Sequence, residues 1–117
     1  MSTLIDRIFR HKKASTAPEI LAGWPVAPYG ICDICNAGLA GSDSHQVSAD
    51  EFKGIAEQGY DPFATGRANL GLAGILGLDR LTAYAGWRQM VMANTTEWGL
   101  CGECSKDVAG FVASHQF

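Results

Sequence analysis

Four cysteines, arranged as two Cys-x-x-Cys pairs, are the residues of this sequence best suited to chemistry. They are Cys32 with Cys35 and Cys101 with Cys104, and they account for every cysteine of the chain. Two cysteines separated by two residues can direct both thiolates at one metal ion about 2.3 Å away, and two such pairs complete a tetrahedral four-sulfur shell. The spacing therefore predicts one structural Zn²⁺ held by all four thiolates.

Other chemistry for these pairs is less well supported by their surroundings. Haem attachment requires a histidine directly after a pair, and Asn36 and Ser105 occupy those positions. A redox dithiol remains an alternative, and it would require an exposed cysteine of low pKa in a thioredoxin-like setting, which the sequence does not predict. His45 is another potential ligand, but four cysteines already fill the shell, so we expect it in a solvated turn.

The two pairs must be positioned by the elements around them. The first pair lies among turn-forming residues, which predicts a knuckle followed by a β-hairpin that turns at residues 41–44. A brief strand is predicted just before the second pair, and a final helix is predicted to begin near Gly102. That helix would place its apolar residues and one ligand on a single side, namely Cys104, Val108, Phe111 and Val112.

A knuckle, a hairpin and a terminal helix whose first turn carries the last two cysteines resemble a treble-clef or zinc-ribbon-type zinc finger. The resemblance is carried by residues 29–48 and 97–113 alone. It implies an α+β fold, mostly helical with a small β-hairpin. The sequence departs from the usual compact pattern by a long helical insert at residues 49–94. Such folds host many unrelated functions, so the resemblance implies no particular activity.

Two helices are predicted within the insert. Ser48 and Glu51 form a capping box that starts the first helix, which ends at Gly59, and Asp79 caps a second helix that runs to about Ala93. The second helix is predicted to bury one apolar face, and its Trp87, Met90 and Met92 are read as core residues. The segment between the helices, residues 70–78, is apolar but interrupted by glycines.

Arg88 falls within the apolar face of the second helix. A guanidinium in this position either extends to the rim of the core or binds a carboxylate on a partner. Arg88 is therefore a candidate partner-binding residue.

We divide the chain into a basic amphipathic helix at residues 1–13, a proline-containing linker at 14–29 and a single zinc-binding domain at 30–117. A helix as short as the first is marginal in water, so it must dock on its own domain, on a partner protein or weakly on an anionic membrane surface. Its candidate partner-binding residues are an apolar stripe and two arginines on the opposite side, namely Leu4, Ile5, Ile8 and Phe9 with Arg7 and Arg10. In the linker, Trp24 and Tyr29 are expected to fold back over the core, and the alternative is an aromatic patch that faces a partner.

Charge and composition narrow the classes of function. The 117 residues carry a formal net charge of -3, and outside residues 1–13 five basic residues face eleven acidic ones. Nucleic-acid binding requires clustered Lys and Arg, so a nucleic-acid-binding zinc finger is the weaker alternative. No secretory signal or transmembrane segment is recognised, and we expect the chain to remain in the reducing cytoplasm.

The sequence thus favours a small zinc-stabilised protein-interaction module, or an accessory subunit of a larger assembly, that catalyses no reaction. This expectation has two grounds. Four cysteine ligands leave no coordination position open for a substrate, and the sequence shows no second group of titratable residues that could form an active site. The alternatives are a nucleic-acid-binding zinc finger and a thiol redox protein or metalloenzyme.

Overall fold

The computed structural model describes residues 15–27, 29–40, 43–68 and 79–115, and within these ranges it is an α+β fold, as predicted. The helices are α1 (Ala17–Ala22), α2 (Ala49–Glu57), α3 (Arg80–Ala93) and α4 (Gly102–Ser114). The strands are β1 (Tyr29–Ile31), β2 (Gly38–Ala40), β3 (His45–Val47) and β4 (Trp98–Leu100).

The strands form two separate two-stranded antiparallel sheets. The β1–β2 pair is a local hairpin that encloses the first cysteine pair, with Tyr29 opposite Ala40. The β3–β4 pair joins distant parts of the chain, with Val47 opposite Trp98. The prediction of a hairpin turning at residues 41–44 is therefore wrong, because β2 and β3, which flank this segment, pair with other strands.

The predicted helix starts within the insert and after the second cysteine pair are confirmed by their caps. The Ser48 hydroxyl accepts a hydrogen bond from the Glu51 N–H at the start of α2, and the Asp79 carboxylate accepts one from the Thr82 N–H at the start of α3. The α4 helix begins at Gly102, with Cys101 as its cap. These local signals need no tertiary contact, which explains why sequence alone predicts them.

Helix α1 lies where extended backbone was expected, within the proline-containing linker. Pro18 occupies the first turn, where its missing N–H costs no hydrogen bond. Thr16 and Glu19 form a capping box in which each side chain accepts the other residue's backbone N–H. The prolines therefore start a short helix here, and α1 packs against α4.

The core of the described fold is centred on aromatic rings from α2, α3 and β4. The Phe52 and Trp98 rings stack with centroids 4.4 Å apart, and Trp87 meets Phe52 edge to face at 6.0 Å. Trp24 closes one side of this core as expected, and its Nε1 donates a hydrogen bond of 2.9 Å to Glu51. Tyr29, in contrast, is 82% exposed, so the prediction that it covers the core is wrong.

The buried face of α3 is narrower than its apolar pattern predicts. Trp87 and Val91 are buried, whereas Leu81 and Met90 are 68% and 52% exposed. Because Trp87 is the largest side chain on the helix, its packing against Phe52 sets which face turns inward. Met90 is therefore not a core residue, contrary to its predicted role.

Two predicted segments lie outside the described residues. They are the amphipathic helix at 1–13 and the glycine-interrupted segment at 70–78. In the ranges that the structure describes, no helix has the length and apolar character required to cross a membrane.

Candidate metal centre

The first cysteine pair is shaped by the tight turn that joins β1 to β2. The Cys32 N–H donates to the Ala37 carbonyl at 2.8 Å, and the Asn36 N–H donates back to the Cys32 carbonyl at 2.9 Å. Asn36 adopts a left-handed conformation with φ of 66°, which asparagine tolerates better than most residues. Within this turn the Ile34 N–H points at the Cys32 Sγ at 3.4 Å. Backbone donors thus surround the first sulfur.

The second pair is positioned by the N-terminus of α4. The Cys101 Sγ accepts the Cys104 N–H at 3.5 Å, so a sulfur caps the helix where an oxygen usually does. Buried Ser105 extends this cap, because its Oγ donates to the Leu100 carbonyl at 3.2 Å. The free N–H groups and the positive end of the helix dipole favour negatively charged thiolates here.

Asp33 joins the first pair to the strand that leads into the second. Its N–H donates to the Gly99 carbonyl at 2.8 Å, and its Oδ2 accepts the Gly99 N–H, also at 2.8 Å. A Cβ at Gly99 would lie 3.0 Å from the Leu39 Cδ1, so a larger residue there would require the Leu39 side chain to shift. The prediction from sequence did not include Asp33 or Gly99. Their types are compatible with a turn and a strand, and only the folded chain shows that they bind each other.

All four cysteines predicted as ligands are brought together by this arrangement. Their Sγ atoms lie within 4.8 Å of one another, and the Cys35 and Cys101 Sγ atoms are 3.6 Å apart. In a tetrahedral site with Zn–S bonds of about 2.3 Å, neighbouring sulfurs lie about 3.8 Å apart. The sulfur positions are therefore compatible with a zinc-binding site.

Each pair contributes one inner and one outer sulfur to the cluster. Cys32 and Cys104 are both 0% exposed, whereas Cys35 and Cys101 are partly exposed. All four are free thiols rather than disulfides. The cluster thus has an inner half enclosed by the domain and an outer half that solvent can reach.

The cysteine pKa values shift in opposite directions, because deprotonation of one sulfur disfavours deprotonation of its neighbour. A hydrogen bond from the Cys104 thiol lowers the pKa of Cys32 to about 4, and the same hydrogen bond, with burial, raises the pKa of Cys104. Burial likewise raises the pKa of Cys35. A thiolate at Cys104 would raise the pKa of the Arg67 guanidinium. Four thiolates at this spacing require a cation among them, and a divalent metal ion supplies that charge.

Arg88, the remaining predicted site residue with a described position, does not join the cluster. Arg88 is exposed on α3 and lines an open cavity of about 540 Å³ together with Tyr84 and Met92. The other candidate partner-binding residues lie outside the described residues, namely Leu4, Ile5, Arg7, Ile8, Phe9 and Arg10.

The histidines of the described segments are also separate from the cysteines. His45 lies in β3 opposite Leu100 and is half-buried, so the expectation of a solvated turn is wrong. The His115 ring stacks on Phe111 with centroids 4.0 Å apart at the end of α4. Among the residues with described positions, the four cysteines form the single convergent group of three or more His, Cys, Asp or Glu side chains.

The fold and the cluster together define a small α+β protein with a four-cysteine site compatible with zinc. No protein-family model, curated protein or solved structure matches the chain.

Proposed function

We propose that this protein is a small zinc-stabilised interaction module that acts as an accessory subunit of a larger assembly and catalyses no reaction. The observation that carries the proposal is the convergence of Cys32, Cys35, Cys101 and Cys104 to within 4.8 Å. Four protein ligands fill the tetrahedral shell of zinc, whereas a catalytic zinc keeps one position open for water or substrate. The ion would therefore stabilise the fold rather than act on a substrate.

The donor set supports the proposal of zinc. Soft thiolate ligands in a tetrahedral arrangement select zinc or iron–sulfur chemistry over magnesium, calcium or manganese. The backbone N–H groups of Ile34 and Cys104 that point at sulfur atoms would share part of the negative charge of a zinc tetrathiolate. Cysteines kept free for a metal suit a reducing compartment, which supports the proposal of a cytoplasmic protein.

Two local geometries support a treble-clef-like class for the zinc module. The first cysteine pair lies in the turn of a β-hairpin, and the second lies at the N-terminus of the last described helix. The insert between them also contributes α2 and α3, which contact each other beside β4 and supply part of the core. The proposed treble-clef-like module therefore differs from a compact finger, because residues of its insert form part of the same core.

Protein partners fit the surface of the molecule better than nucleic acid does. In the described ranges five Lys and Arg residues stand against eleven Asp and Glu residues, so a phosphate backbone would be repelled. Close to the first cysteine pair, Tyr29 and Ile31 on β1 are 82% and 65% exposed. Exposed aromatic and branched side chains beside a rigid site are typical of protein interfaces. The apolar stripe and arginines of residues 1–13 are proposed as a second contact.

The proposal is tested by identifying a partner and then measuring binding with purified components. Cross-linking in the source cells would identify candidate partners, and titration calorimetry would compare the full chain with a chain lacking residues 1–13 and with Tyr29→Ser/Ile31→Ser. We expect either change to weaken binding, and Leu81→Ser, an exposed residue on α3, serves as the matched control.

Two results would contradict the proposal. One is that the chain lacking residues 1–13 and the Tyr29→Ser/Ile31→Ser chain both bind the partner as tightly as the full chain does. The other is tight, salt-sensitive binding to duplex or single-stranded nucleic acid, which would favour the nucleic-acid-binding alternative.

A further inference from the structure

We propose that the zinc centre is a peroxide-sensitive switch in which oxidation joins Cys35 to Cys101, releases the metal and leaves the two cysteine pairs covalently connected. This inference rests on the zinc centre of the proposed function and adds a means of regulating it. It starts from the unequal exposure of the four sulfurs.

The two partly exposed cysteines belong to different pairs. Cys35 comes from the hairpin turn and Cys101 from the cap of α4, and both are partly exposed, whereas Cys32 and Cys104 have no exposed surface. An oxidant that arrives from solvent therefore meets one sulfur of each pair. All four sulfurs would be thiolates when they hold zinc, so exposure decides among them and these two react first.

The distance between the exposed sulfurs favours their reaction with each other. The Cys35 and Cys101 Sγ atoms are 3.6 Å apart, and their residues are 66 positions apart in the chain. Disulfide formation within a pair would instead need an enclosed sulfur, because each pair has one residue that is 0% exposed. Cys32 would have to leave the Ile34 N–H that points at its Sγ. The geometry therefore favours a bond between the pairs over a bond within either pair.

The reaction with hydrogen peroxide balances without any further reactant. One of the two exposed thiolates attacks a peroxide oxygen, the O–O bond breaks, hydroxide leaves and a sulfenic acid forms. The second exposed thiolate attacks that sulfur, the S–S bond forms, and the S–O bond breaks to release a second hydroxide. The two sulfurs lose two electrons in total, peroxide gains them, and the hydroxides are protonated to water. Zinc then retains two of its four ligands and dissociates.

The consequence differs from ordinary oxidative damage. Zinc and the proposed disulfide both connect the hairpin turn to the start of α4, so one link replaces the other. The Asp33 and Gly99 hydrogen bonds, which join the same two segments, can then persist in the oxidised protein. Reduction in the presence of zinc would restore the original site, which makes the step reversible.

The test uses the zinc-loaded full chain and hydrogen peroxide, with zinc release followed by a chromogenic chelator and disulfides mapped by mass spectrometry. We expect one zinc released per peroxide consumed. We also expect the Cys35–Cys101 peptide to exceed either disulfide formed within a pair by at least about tenfold, since accessibility controls oxidation. Reductant with added zinc should return the metal to the protein.

A second measurement also uses the wild-type chain, so it does not depend on whether a cysteine variant folds. Limited alkylation of the zinc-loaded wild-type chain should label Cys35 and Cys101 before Cys32 and Cys104, and it should block formation of the cross-link. Equal labelling, dominant disulfides within the pairs, or sulfinic acids without a disulfide would overturn the switch. A chain that holds no zinc before oxidation would overturn the zinc centre itself, so the two failures are distinguishable.

Discussion

The cysteine cluster and the aromatic cluster around Phe52 hold neighbouring parts of the fold by different forces. In the cysteine cluster, sulfur atoms and backbone hydrogen bonds define the geometry, and the sulfurs lie within 4.8 Å of one another. In the aromatic cluster, ring packs on ring, as in the stack of Phe52 on Trp98 at 4.4 Å. We propose that a metal ion stabilises the first, whereas the exclusion of water stabilises the second.

This difference determines which conditions each region should tolerate. A zinc tetrathiolate depends on metal supply, on pH and on the redox state of its sulfurs, whereas apolar packing responds to none of these. Strand β4 belongs to both regions, because Trp98 lies in the aromatic cluster and Leu100 leads directly into Cys101. The largest effects are therefore expected where a change reaches this strand.

Loss of an enclosed ligand should have the largest effect. We expect Cys104→Ser, or removal of metal by a chelator, to unfold much of the domain. Structural zinc sites bind with about 10–16 kcal/mol of apparent free energy, while whole domains are stable by only about 5–15 kcal/mol. Circular dichroism melts combined with metal analysis measure this, with Ser114→Ala on the exposed end of α4 as the control. A native melting transition without metal would mean that zinc is not structural.

Truncation within the aromatic cluster should be next in size. Phe52→Ala removes a fully buried ring and should lower the free energy of unfolding by about 3–5 kcal/mol. The folded variant should still bind one zinc, because the substitution leaves all four cysteines and the hydrogen bonds to their sulfurs in place. Urea denaturation measures the free energy of unfolding, and metal analysis measures the bound zinc. Phe63→Ala, at a half-buried site, is the control and should lower the free energy of unfolding by less. Loss of zinc from a variant that remains folded would show that the two regions are not separable.

Asp33 tests the connection between the cysteine pairs. Asp33→Ala removes the acceptor of the Gly99 N–H and should reduce stability by about 1–2 kcal/mol, as expected for a hydrogen bond to an exposed charged group. Competition with a zinc chelator should show weaker metal binding as well. Asp33→Asn should recover part of the loss, since an amide oxygen can still accept the bond. Glu97→Ala removes a nearby exposed carboxylate and should have little effect.

Tyr60 should give the smallest effect. Its hydroxyl donates a 2.7 Å hydrogen bond to Asp107, and Tyr60→Phe should cost about 1 kcal/mol at neutral pH. Burial raises the pKa of Tyr60 in the folded chain, so its contribution is fully present below the unfolded pKa of about 10 and is lost as the pH rises further. Urea titrations at neutral and alkaline pH should show a shallower alkaline fall in Tyr60→Phe. An identical fall in both chains would remove Tyr60 as its source.

Sequence reasoning succeeded where the controlling interaction is local. The caps at Ser48, Asp79 and Cys101 involve residues three positions apart, and each helix begins at the predicted place. The spacing of the cysteines likewise suggested their convergence, because a single metal ion is the simplest way to satisfy both pairs.

Prediction from sequence failed where the interacting residues are distant in the chain. Pairing of β3 with β4 joins strands separated by the whole insert, and the turn residues at 41–44 suggested a nearer partner. The bond between Asp33 and Gly99 has no local signature either. Pro18 favours extended backbone in the residue before it, but a proline in the two positions after a capping Thr16 is also typical of a helix start.

The most direct test of the zinc centre is metal content measured together with thiol reactivity on the reduced, purified chain. Native mass spectrometry should show one zinc ion per chain, and every cysteine should react more slowly with a thiol reagent before a chelator removes the metal than afterwards, with Cys35 and Cys101 ahead of Cys32 and Cys104. A chain that refolds in the presence of zinc yet binds none, with four freely reacting thiols, would contradict the account.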